Sequence, residues 1–182
     1  VVDNVIDYNR SGMLFRNQTD NTVVTGNFIT NNWTVGMLFL DGICQSSAND
    51  EFIYHEMLVH PALFSHPAPR AVLVVGGATG ASLREIFRHP GIDRVVMVDI
   101  DGELIEICKR YATQWHEGRF DDPRLELIIE DGRHYLEQSS ERFDCIILDL
   151  SDPFDSSPAS LLFTREFYQA VNRRLGPQGT VT

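Results

Sequence analysis

The chain has 182 residues and a formal net charge of −11 at pH 7, with 43% hydrophobic and 23% charged residues. Its length suits one well-buried domain with a small additional unit, and no apolar run approaches the ~18 residues of a membrane-spanning helix. Phosphate contacts require a basic surface, so this acidic composition disfavours a nucleic-acid partner. We therefore expect neither nucleic acid nor a membrane among its partners.

Cysteine usage and the start of the chain bear on the cellular compartment. The three cysteines, Cys44, Cys108 and Cys145, are widely spaced in apolar surroundings. This is typical of small core residues in a reducing compartment rather than of disulfides or zinc ligands. No charged segment precedes an apolar stretch after Val1, as a secretory leader would require. The sequence therefore predicts a cytoplasmic protein without a metal site.

Residues 1–48 predict a small antiparallel β domain. Short apolar runs, such as Thr22–Thr25 and Gly36–Leu40, alternate with polar stretches rich in asparagine, as short strands and their turns do. Asn31-Asn32 and Asp41-Gly42 have the residue types that favour hairpin turns. These turns would join the strands into hairpins.

A helix is predicted over 49–60, where cap-type and acidic residues precede apolar side chains on neighbouring helical faces. Pro61 is expected to interrupt this helix, because a proline inside a helix removes one backbone hydrogen bond. Pro67 and Pro69 then indicate a linker to the segment that follows.

Further along the chain, short apolar runs alternate with helical patterns. Strands buried on both faces read as such runs, and a repeated β–α order is typical of a parallel sheet covered by helices. The sequence therefore predicts an α/β fold with a doubly wound, mostly parallel sheet over 49–182, whose C-terminal strands are absent from this chain. Strands are predicted at Val72–Val75, Arg94–Asp99, Leu125–Ile129, Cys145–Asp149 and from Thr180, and helices at Ala81–Arg88, Asp101–Trp115, Arg133–Gln138 and Thr164–Leu175.

Polar residues follow four of these strands at the point where each strand ends. They are the glycine-rich turn Gly76–Gly80, Asp99, Asp131-Gly132, and Asp149 with Asp152. The carboxyl ends of parallel strands share one edge of the sheet, where ligands of this fold class bind. An acid about 20 residues after a glycine turn suits ribose hydroxyls, so Asp99 predicts a nucleoside site, with Asp131 placed to accept from the adenine amine. For each acid alone, a helix cap or a turn is the alternative.

Asp149 and Asp152 are the predicted reactive pair. A turn after the fourth strand can direct both carboxylates into the cleft, where they would neutralise an ammonium group and accept its proton. An aliphatic amine has a pKa near the ~10.4 of lysine, so it is not nucleophilic at neutral pH until a base removes that proton. For Asp152 alone, capping of the next turn is an alternative interpretation.

The aromatic and histidine side chains give weaker signals. Tyr54 and His55 lie on the predicted helix before the sheet, where side-chain packing alone would account for them. The other histidines lack the spacing of ligands and are interpreted as solvent-facing or loop residues: His60, His66, His89, His116 and His134.

An ordered set of motifs between Leu40 and Gly179 resembles the spermidine and spermine synthases, which are polyamine aminopropyltransferases. The resemblance implies a methyltransferase-like Rossmann fold over 49–182, preceded by a small β domain. It also implies transfer of an aminopropyl group from decarboxylated S-adenosylmethionine to a diamine such as putrescine, by a homodimer or homotetramer. The matching segments are Leu40-Asp-Gly42 with Gln45, Asp50-Glu-Phe-Ile-Tyr-His-Glu-Met57, the glycine turn with Leu83-Arg-Glu85, Val98-Asp-Ile-Asp101, Asp121-Asp-Pro-Arg124, Asp131-Gly132, Asp149-Leu-Ser-Asp-Pro153, Leu162-Phe-Thr164 and Phe167-Tyr168.

The same resemblance implies roles for individual residues. Asp149 would be the general base that deprotonates the attacking amine, and Tyr54, His55 and Asp152 would hold the diamine. Asp99 would bind the ribose. Thr79 would lie next to the aminopropyl chain, and the remaining contacts to the nucleoside donor would come from Gly76, Gly77, Ala78, Gly80, Ile100, Asp131, Gly132 and Leu150.

The glycine turn departs from the family's usual Gly-Gly-Gly-Asp-Gly at Ala78 and Thr79. Thr79 replaces the acid expected to pair with the donor's ammonium group. Loss of such a charge-assisted contact costs ~1.5–3 kcal/mol, or about a 10- to 100-fold change in donor preference. Two alternatives therefore stand beside aminopropyl transfer. One is an amine methyltransferase that uses S-adenosylmethionine, and the other is a non-catalytic homologue with an altered donor site.

Overall fold

The structure is a computed structural model. The chain divides into two compact units, Val1–Phe52 and Ile53–Thr182. No helix in the part of the chain that the structure describes is both long and apolar enough to cross a membrane. The described residues are 5–7, 28–30, 37–40, 43–153 and 158–182.

The described residues of the first unit form two pairs of short strands. β1 (Val5–Asp7) pairs with β2 (Phe28–Thr30) in parallel, and β3 (Met37–Leu40) pairs with β4 (Ile43–Ser47) in antiparallel register. The antiparallel pairing expected from the sequence is thus present in β3 and β4, while the long connection between β1 and β2 permits a parallel pair. The predicted turns at Asn31-Asn32 and Asp41-Gly42 lie outside the described residues.

Helix α1 (Glu51–Ser65) continues through Pro61, where the sequence predicted an interruption. After the proline, Ala62 and Leu63 are buried, and their packing stabilises the last turn against the missing backbone hydrogen bond. The Ser65 hydroxyl donates to the Pro61 carbonyl at 2.7 Å in the same turn. Tertiary contacts therefore override the local effect of the proline.

Five parallel strands form the sheet of the second unit: β5 (Ala71–Gly76), β6 (Arg94–Asp99), β7 (Leu125–Ile129), β8 (Phe143–Asp149) and β9 (Leu175–Val181). Their spatial order is β7-β6-β5-β8-β9, and every neighbouring pair is parallel. β6 and β7 have the bounds that the sequence predicted. The predicted α/β fold with a parallel sheet is confirmed.

Five α-helices accompany this sheet after α1, among the described residues. The predicted helix over 101–115 is divided at Ala112, whose backbone (φ −113°, ψ 37°) ends one helix before the next begins. The Asp101 and Thr164 side chains cap two of the helices at their N-termini, as such residues favour. The helices are α2 (Ala81–Ile86), α3 (Gly102–Tyr111), α4 (Thr113–His116), α5 (Gly132–Gln138) and α6 (Arg165–Arg174).

The core of the second unit lies between the central strands and the helices that pack on them. Four consecutive residues of β5 and four of β6 are buried, which matches their continuous apolar runs. Cys108 and Cys145 are buried as predicted, but Cys44 is exposed, so its prediction as a core residue is wrong. Cys44 lies on β4, a short strand with one neighbour among the described residues, which leaves its side chain open to solvent.

Candidate functional site

The candidate site lies at the carboxyl ends of β5 and β8, which are neighbours in the sheet. After β5 the chain continues to β6 and β7 on one side, and it then crosses to β8 on the other side. Such a reversal opens a crevice at the carboxyl edge, where ligands bind in open α/β sheets. Gly76 and Asp149 are register partners at this edge. The glycine turn and the predicted base therefore lie side by side.

Two glycines allow the turn to pass close to Asp149. Gly76 and Gly77 have φ values of 82° and 85°, in the left-handed region that side chains disfavour. A Cβ on Gly76 would overlap the Asp149 carbonyl oxygen, and a Cβ on Gly77 would lie 3.1 Å from Asp149 Oδ2. Gly80 then closes the turn, since its N–H donates to the Gly77 carbonyl at 2.8 Å. The backbone conformation and the close approach both require glycine at the first two positions.

Side chains from α1 and α2 surround the Asp149 carboxylate, which is only 10% exposed. The Ser82 hydroxyl donates to Oδ2 at 2.7 Å, and His55 Nε2 lies 3.8 Å from the same oxygen. The Tyr54 hydroxyl is also hydrogen-bonded to this carboxylate, and its ring packs edge-on against His55 with centroids 5.0 Å apart. The structure therefore brings together Tyr54, His55 and Asp149, which the sequence identified as candidates.

Burial and the nearby negative charges both raise the pKa of Tyr54. Although 48% of the residue is exposed, its pKa is raised well above the ordinary value of 10.0. Burial around the hydroxyl is the largest cause, followed by the charge of Asp149, the hydrogen bond to Asp149 and the charge of Asp152. The phenol therefore remains a hydrogen-bond donor throughout the physiological pH range.

The charges around Asp149 suit a cationic ligand. Among the residues that the structure describes, the basic side chain within 4 Å of it is that of His55, which is charged only when protonated, and neither a lysine nor an arginine pairs with it. Asp152 is exposed in the segment that follows β8. Its carboxylate adds a second negative charge that acts on Tyr54. An ammonium group entering this site would gain favourable interactions with both carboxylates and could pass a proton to one of them.

Asp99 ends β6, on the other side of the glycine turn. Its pKa is raised, chiefly because of burial, and the charges of Asp101 and Asp149 act in the same direction. Backbone N–H groups of Asp101 and Ala78 donate to the carboxylate and partly offset this effect, the first at 2.9 Å. A carboxylate fixed by backbone donors at this edge is oriented to accept hydrogen bonds from vicinal hydroxyls.

Asp131 has a structural function that the sequence left as an alternative. Its Oδ1 accepts from the His134 N–H at 2.8 Å and caps α5. Gly132, the first residue of that helix, is buried, and a Cβ there would overlap Val75 Cγ1. The helix start consequently packs directly on β5, and the cap accounts for one oxygen of the exposed Asp131 carboxylate.

The remaining predicted site residues surround the glycine turn and the ends of β6 and β8. Thr79 Oγ1 accepts from the Ala81 N–H at 3.4 Å, a contact within the turn. Ile100 follows β6 and is 68% exposed, whereas the half-buried Leu150 follows β8 and lies against Gly76. All three residues border the crevice, and the exposed side chain of Ile100 is accessible to a ligand.

Sequence reasoning missed Ser82, which donates to Asp149. The sequence placed Ser82 only within the predicted helix Ala81–Arg88. The sequence offers only a hydroxyl immediately after a glycine turn, because the burial of all six residues of α2 is visible only in the structure. A buried hydroxyl in such a place requires a hydrogen-bond partner, and the polar end of the neighbouring strand supplies it.

A second buried carboxylate, Glu85, occupies the last turn of α2. It is fully buried and accepts from Arg84 Nε at 2.7 Å and from Arg88 Nη1 at 2.6 Å. His60 Nε2 lies 3.3 Å from Glu85, and the other ring nitrogen of His60 contacts His89 Nε2 at 2.9 Å. We call these five residues the Glu85 cluster.

The histidine interpretation from the sequence is wrong at two positions. His60 lies within α1 and belongs to the Glu85 cluster, and His116 is only 4% exposed. His89 lies in the loop between α2 and β6, as predicted. The partners of His60 are distant in sequence, so spacing along the chain could not identify these contacts. The described part of the chain has no group of three or more His, Cys, Asp or Glu residues arranged to hold a metal ion.

Comparison with known proteins identifies the family. The family model of the spermine/spermidine synthase domain matches residues 51–182. Polyamine aminopropyltransferase 2 of Pseudomonas aeruginosa is 50% identical over 145 residues, which cover 80% of this chain and 42% of the relative. Its namesake in Hyperthermus butylicus is 52% identical over 144 residues, which cover 79% of this chain and 47% of the relative. The chain thus spans about half the length of the curated relatives it matches.

Solved structures agree with the sequence comparison. Spermidine synthase from Thermotoga maritima superposes with a TM-score of 0.73 at 41% identity, covering 80% of this chain and 48% of that chain. A spermidine synthase in complex with the transition-state analogue AdoDATO gives a TM-score of 0.72 at 41% identity, covering 76% of this chain and 47% of that chain. The chain belongs to the spermine/spermidine synthase family.

Proposed function

We propose that the protein transfers an aminopropyl group from decarboxylated S-adenosylmethionine to a diamine such as putrescine. The observation that carries the proposal is the environment of Asp149, a nearly buried carboxylate contacted by a hydroxyl, a phenol and a histidine. With Asp152 nearby, this environment favours a cationic amine and offers a base for its proton. The relatives named polyamine aminopropyltransferases support the same activity.

The donor would lie along the carboxyl edge of the sheet. Asp99 would accept hydrogen bonds from the ribose hydroxyls, and the adenine would lie near Asp131 and the exposed Ile100. The reactive part of the donor would lie beside the glycine turn, which the missing side chains of Gly76 and Gly77 allow to pass close to Asp149. This arrangement would place the sulfonium between the nucleoside contacts and the amine site.

In the proposed reaction, the amine nitrogen attacks the carbon bonded to the sulfonium sulfur of the donor. A C–N bond forms as the C–S bond breaks, and its electron pair stays on sulfur, so methylthioadenosine is released. Asp149 accepts the proton that the attacking amine must lose. A positioned general base contributes about 10²–10⁴-fold to the rate, and the rest of the acceleration comes from alignment of the two substrates.

Methyl transfer from S-adenosylmethionine is the second candidate function, and Thr79 favours it. A carboxylate at this position would repel the carboxylate of S-adenosylmethionine, whereas the threonine hydroxyl does not. The two functions differ in their product. Methyl transfer adds one methyl group to the diamine, and aminopropyl transfer adds one aminopropyl group, so mass spectrometry of the acceptor distinguishes them.

Calorimetric titration of the full-length protein tests the donor site. We expect decarboxylated S-adenosylmethionine and methylthioadenosine to bind, and S-adenosylmethionine to bind more weakly. A stronger affinity for S-adenosylmethionine would favour methyl transfer. If none of the three nucleosides binds, the enzymatic proposal is wrong.

The proposal extends to the whole protein, which would act in the cytoplasm as a homodimer or homotetramer. The family resemblance supports this assembly. Light scattering coupled to size-exclusion chromatography measures the mass of the full-length protein, and a monomer would contradict the proposed assembly without affecting the proposed reaction.

A further inference from the structure

Ser82 contacts the proposed catalytic carboxylate from the first turn of α2. The residue is 1% exposed, and its hydroxyl donates to Asp149 Oδ2 at 2.7 Å. A hydrogen bond from a neutral donor to an ionised acceptor at this distance is among the stronger ones in proteins. The contact joins the start of a helix to the end of a strand that lies far away in sequence.

The backbone around Ser82 directs its hydroxyl toward Asp149. Gly80 begins the helix without a side-chain cap, and register pairing fixes Gly76 and Asp149 at the same level of neighbouring strands. The missing side chain of Gly77 leaves space beside Asp149 Oδ2. The glycine turn thus brings the serine close enough for a direct hydrogen bond.

One oxygen of Asp149 is consequently held by Ser82, with the His55 ring nearby. Ser82 donates to Oδ2, and His55 Nε2 lies 3.8 Å from the same atom. Rotation of the carboxylate about its Cβ–Cγ bond would break the contact with Ser82. A carboxylate with restricted rotation keeps its lone pairs directed at the attacking amine, and this orientation is part of the rate gain in general-base catalysis.

We infer that Ser82 is a positioning residue for proton transfer: its hydroxyl fixes the rotation of the Asp149 carboxylate and stabilises the ionised form. The inference rests on the proposed function, in which Asp149 accepts the proton of the amine. It assigns a catalytic consequence to a residue that does not itself touch the reacting atoms. A serine that served only to satisfy a buried hydroxyl would affect stability and leave the rate unchanged.

The test compares Ser82→Ala with wild type and with Ser65→Ala. Ser65 also donates at 2.7 Å, but to a backbone carbonyl in an exposed turn of α1, so it controls for the loss of one hydroxyl. For Ser82→Ala we expect a kcat about tenfold lower with little change in KM for the donor, because substrate binding is retained and orientation is lost. Ser65→Ala should match wild type in both constants.

The pH profile provides the readout that a structural role would not affect. Without the hydroxyl, the ionised carboxylate loses a stabilising donor, so the acidic limb of kcat in Ser82→Ala should move to higher pH by about half a unit. Ser82→Thr retains the hydroxyl, so its kcat and the acidic limb of its pH profile should match those of wild type. Thermal unfolding of each variant confirms that folded proteins are compared.

The outcomes separate this inference from the proposed function. If the wild-type protein forms no aminopropyl product, the proposed function is wrong. If wild type is active and Ser82→Ala has the same kcat and acidic limb, Ser82 has no positioning role. A loss in Ser82→Ala that a folded Ser82→Thr does not reverse would also overturn the inference, because the hydroxyl would then not be the group that matters.

Discussion

The Asp149 carboxylate is nearly buried next to α2, and the Glu85 carboxylate is fully buried within α2. The side chains around these two carboxylates carry different charges. Glu85 accepts from two guanidinium groups, at 2.7 Å from Arg84 and 2.6 Å from Arg88. Asp149 accepts from the hydroxyls of Ser82 and Tyr54. The cations around Glu85 are part of the protein, whereas the groups around Asp149 include no permanent cation among the described residues.

This difference separates a structural carboxylate from a reactive one. Burial of a charge is costly unless a partner compensates it, and removal of one partner from a buried ion pair destabilises the fold. The Glu85 cluster is compensated internally and has no capacity for another cation. Asp149 is held by neutral donors, so a cationic substrate can supply the missing charge. The same short helix thus stabilises the fold with its last turn and orients the site with its first.

Asp149→Asn should give the largest change on the reactive side of this comparison. The amide keeps the size of the side chain but cannot accept the proton of the amine, so we expect kcat to fall about 10²–10⁴-fold. The free energy of unfolding should change little, since no permanent cation loses its partner. Rates come from mass spectrometry of the product, and Asp121→Asn, at an exposed position, is the control. Equal rates in the two variants would show that Asp149 is not the base.

Glu85→Gln should give the opposite result. It leaves the buried Arg84 beside a neutral amide, and we expect the free energy of unfolding to fall by about 3 kcal/mol, while kcat of the folded protein stays near wild type. Urea denaturation measures the loss. Glu126→Gln is the matched control, because Glu126 also accepts at 2.6 Å from an arginine, Arg94, but is solvent-exposed. That change should cost less than about 1 kcal/mol. Similar losses in both variants would contradict the structural role of Glu85.

Gly76→Ala should lower both the stability and the rate, because this glycine begins the turn and packs directly against Asp149. Its φ is +82°, and a Cβ would overlap the Asp149 carbonyl oxygen. Gly118→Ala has a similar φ of +76° but open space around the new methyl group, so it should show only the backbone strain of about 1–2 kcal/mol. Gly76→Ala should lose more stability than this in chemical denaturation and also lower kcat. Identical behaviour of the two variants would show that the close approach to Asp149 has no consequence.

The smallest expected effect is the pH dependence of stability that His89 contributes. Burial, and then the charge of His60, lowers the pKa of His89 below its ordinary value of 6.5, with Glu85 acting in the opposite direction. The unfolded chain therefore binds this proton more readily than the folded chain does. Stability from this group is present above about pH 6.5 and is lost as the pH falls toward the lowered pKa of the folded state.

Urea midpoints between about pH 7.5 and pH 5.5 measure this dependence. His89→Gln should show a smaller decrease in the midpoint over this range than wild type, since glutamine does not titrate. His134→Gln is the control, because His134 is exposed on α5. An unchanged slope in His89→Gln would mean that the half-buried His89 ring does not contribute to the pH dependence.

Much of the fold could be predicted because its local signals and its tertiary packing agree. The apolar runs of β6 and β7 are bounded by polar residues, and their ends were predicted correctly, although β7 lies at the edge of the sheet and has no buried residue. The differences arise where packing overrides a local signal. Burial of Ala62 and Leu63 carries α1 through Pro61, and β9 begins at Leu175, where the sequence predicted the end of a helix and a strand only from Thr180.

The candidate site was predictable where it depends on strand ends. Parallel strands bring the glycine turn, Asp99 and Asp149 to one edge, so their proximity follows from the topology alone. Ser82 and the Glu85 cluster depend instead on side chains that meet across α1, α2 and β8. No periodicity or spacing records such contacts, and the charged residues of α2 resemble a solvated helix face in the sequence although all of α2 is buried.

The product of the reaction tests the central claim most directly. The full-length protein is incubated with a diamine and either decarboxylated S-adenosylmethionine or S-adenosylmethionine, and the acceptor is analysed by mass spectrometry. We expect a product one aminopropyl group heavier than the diamine, together with methylthioadenosine, from the decarboxylated donor and not from Asp149→Asn. A product one methyl group heavier, or an aminopropyl product formed equally well by Asp149→Asn, would contradict the account.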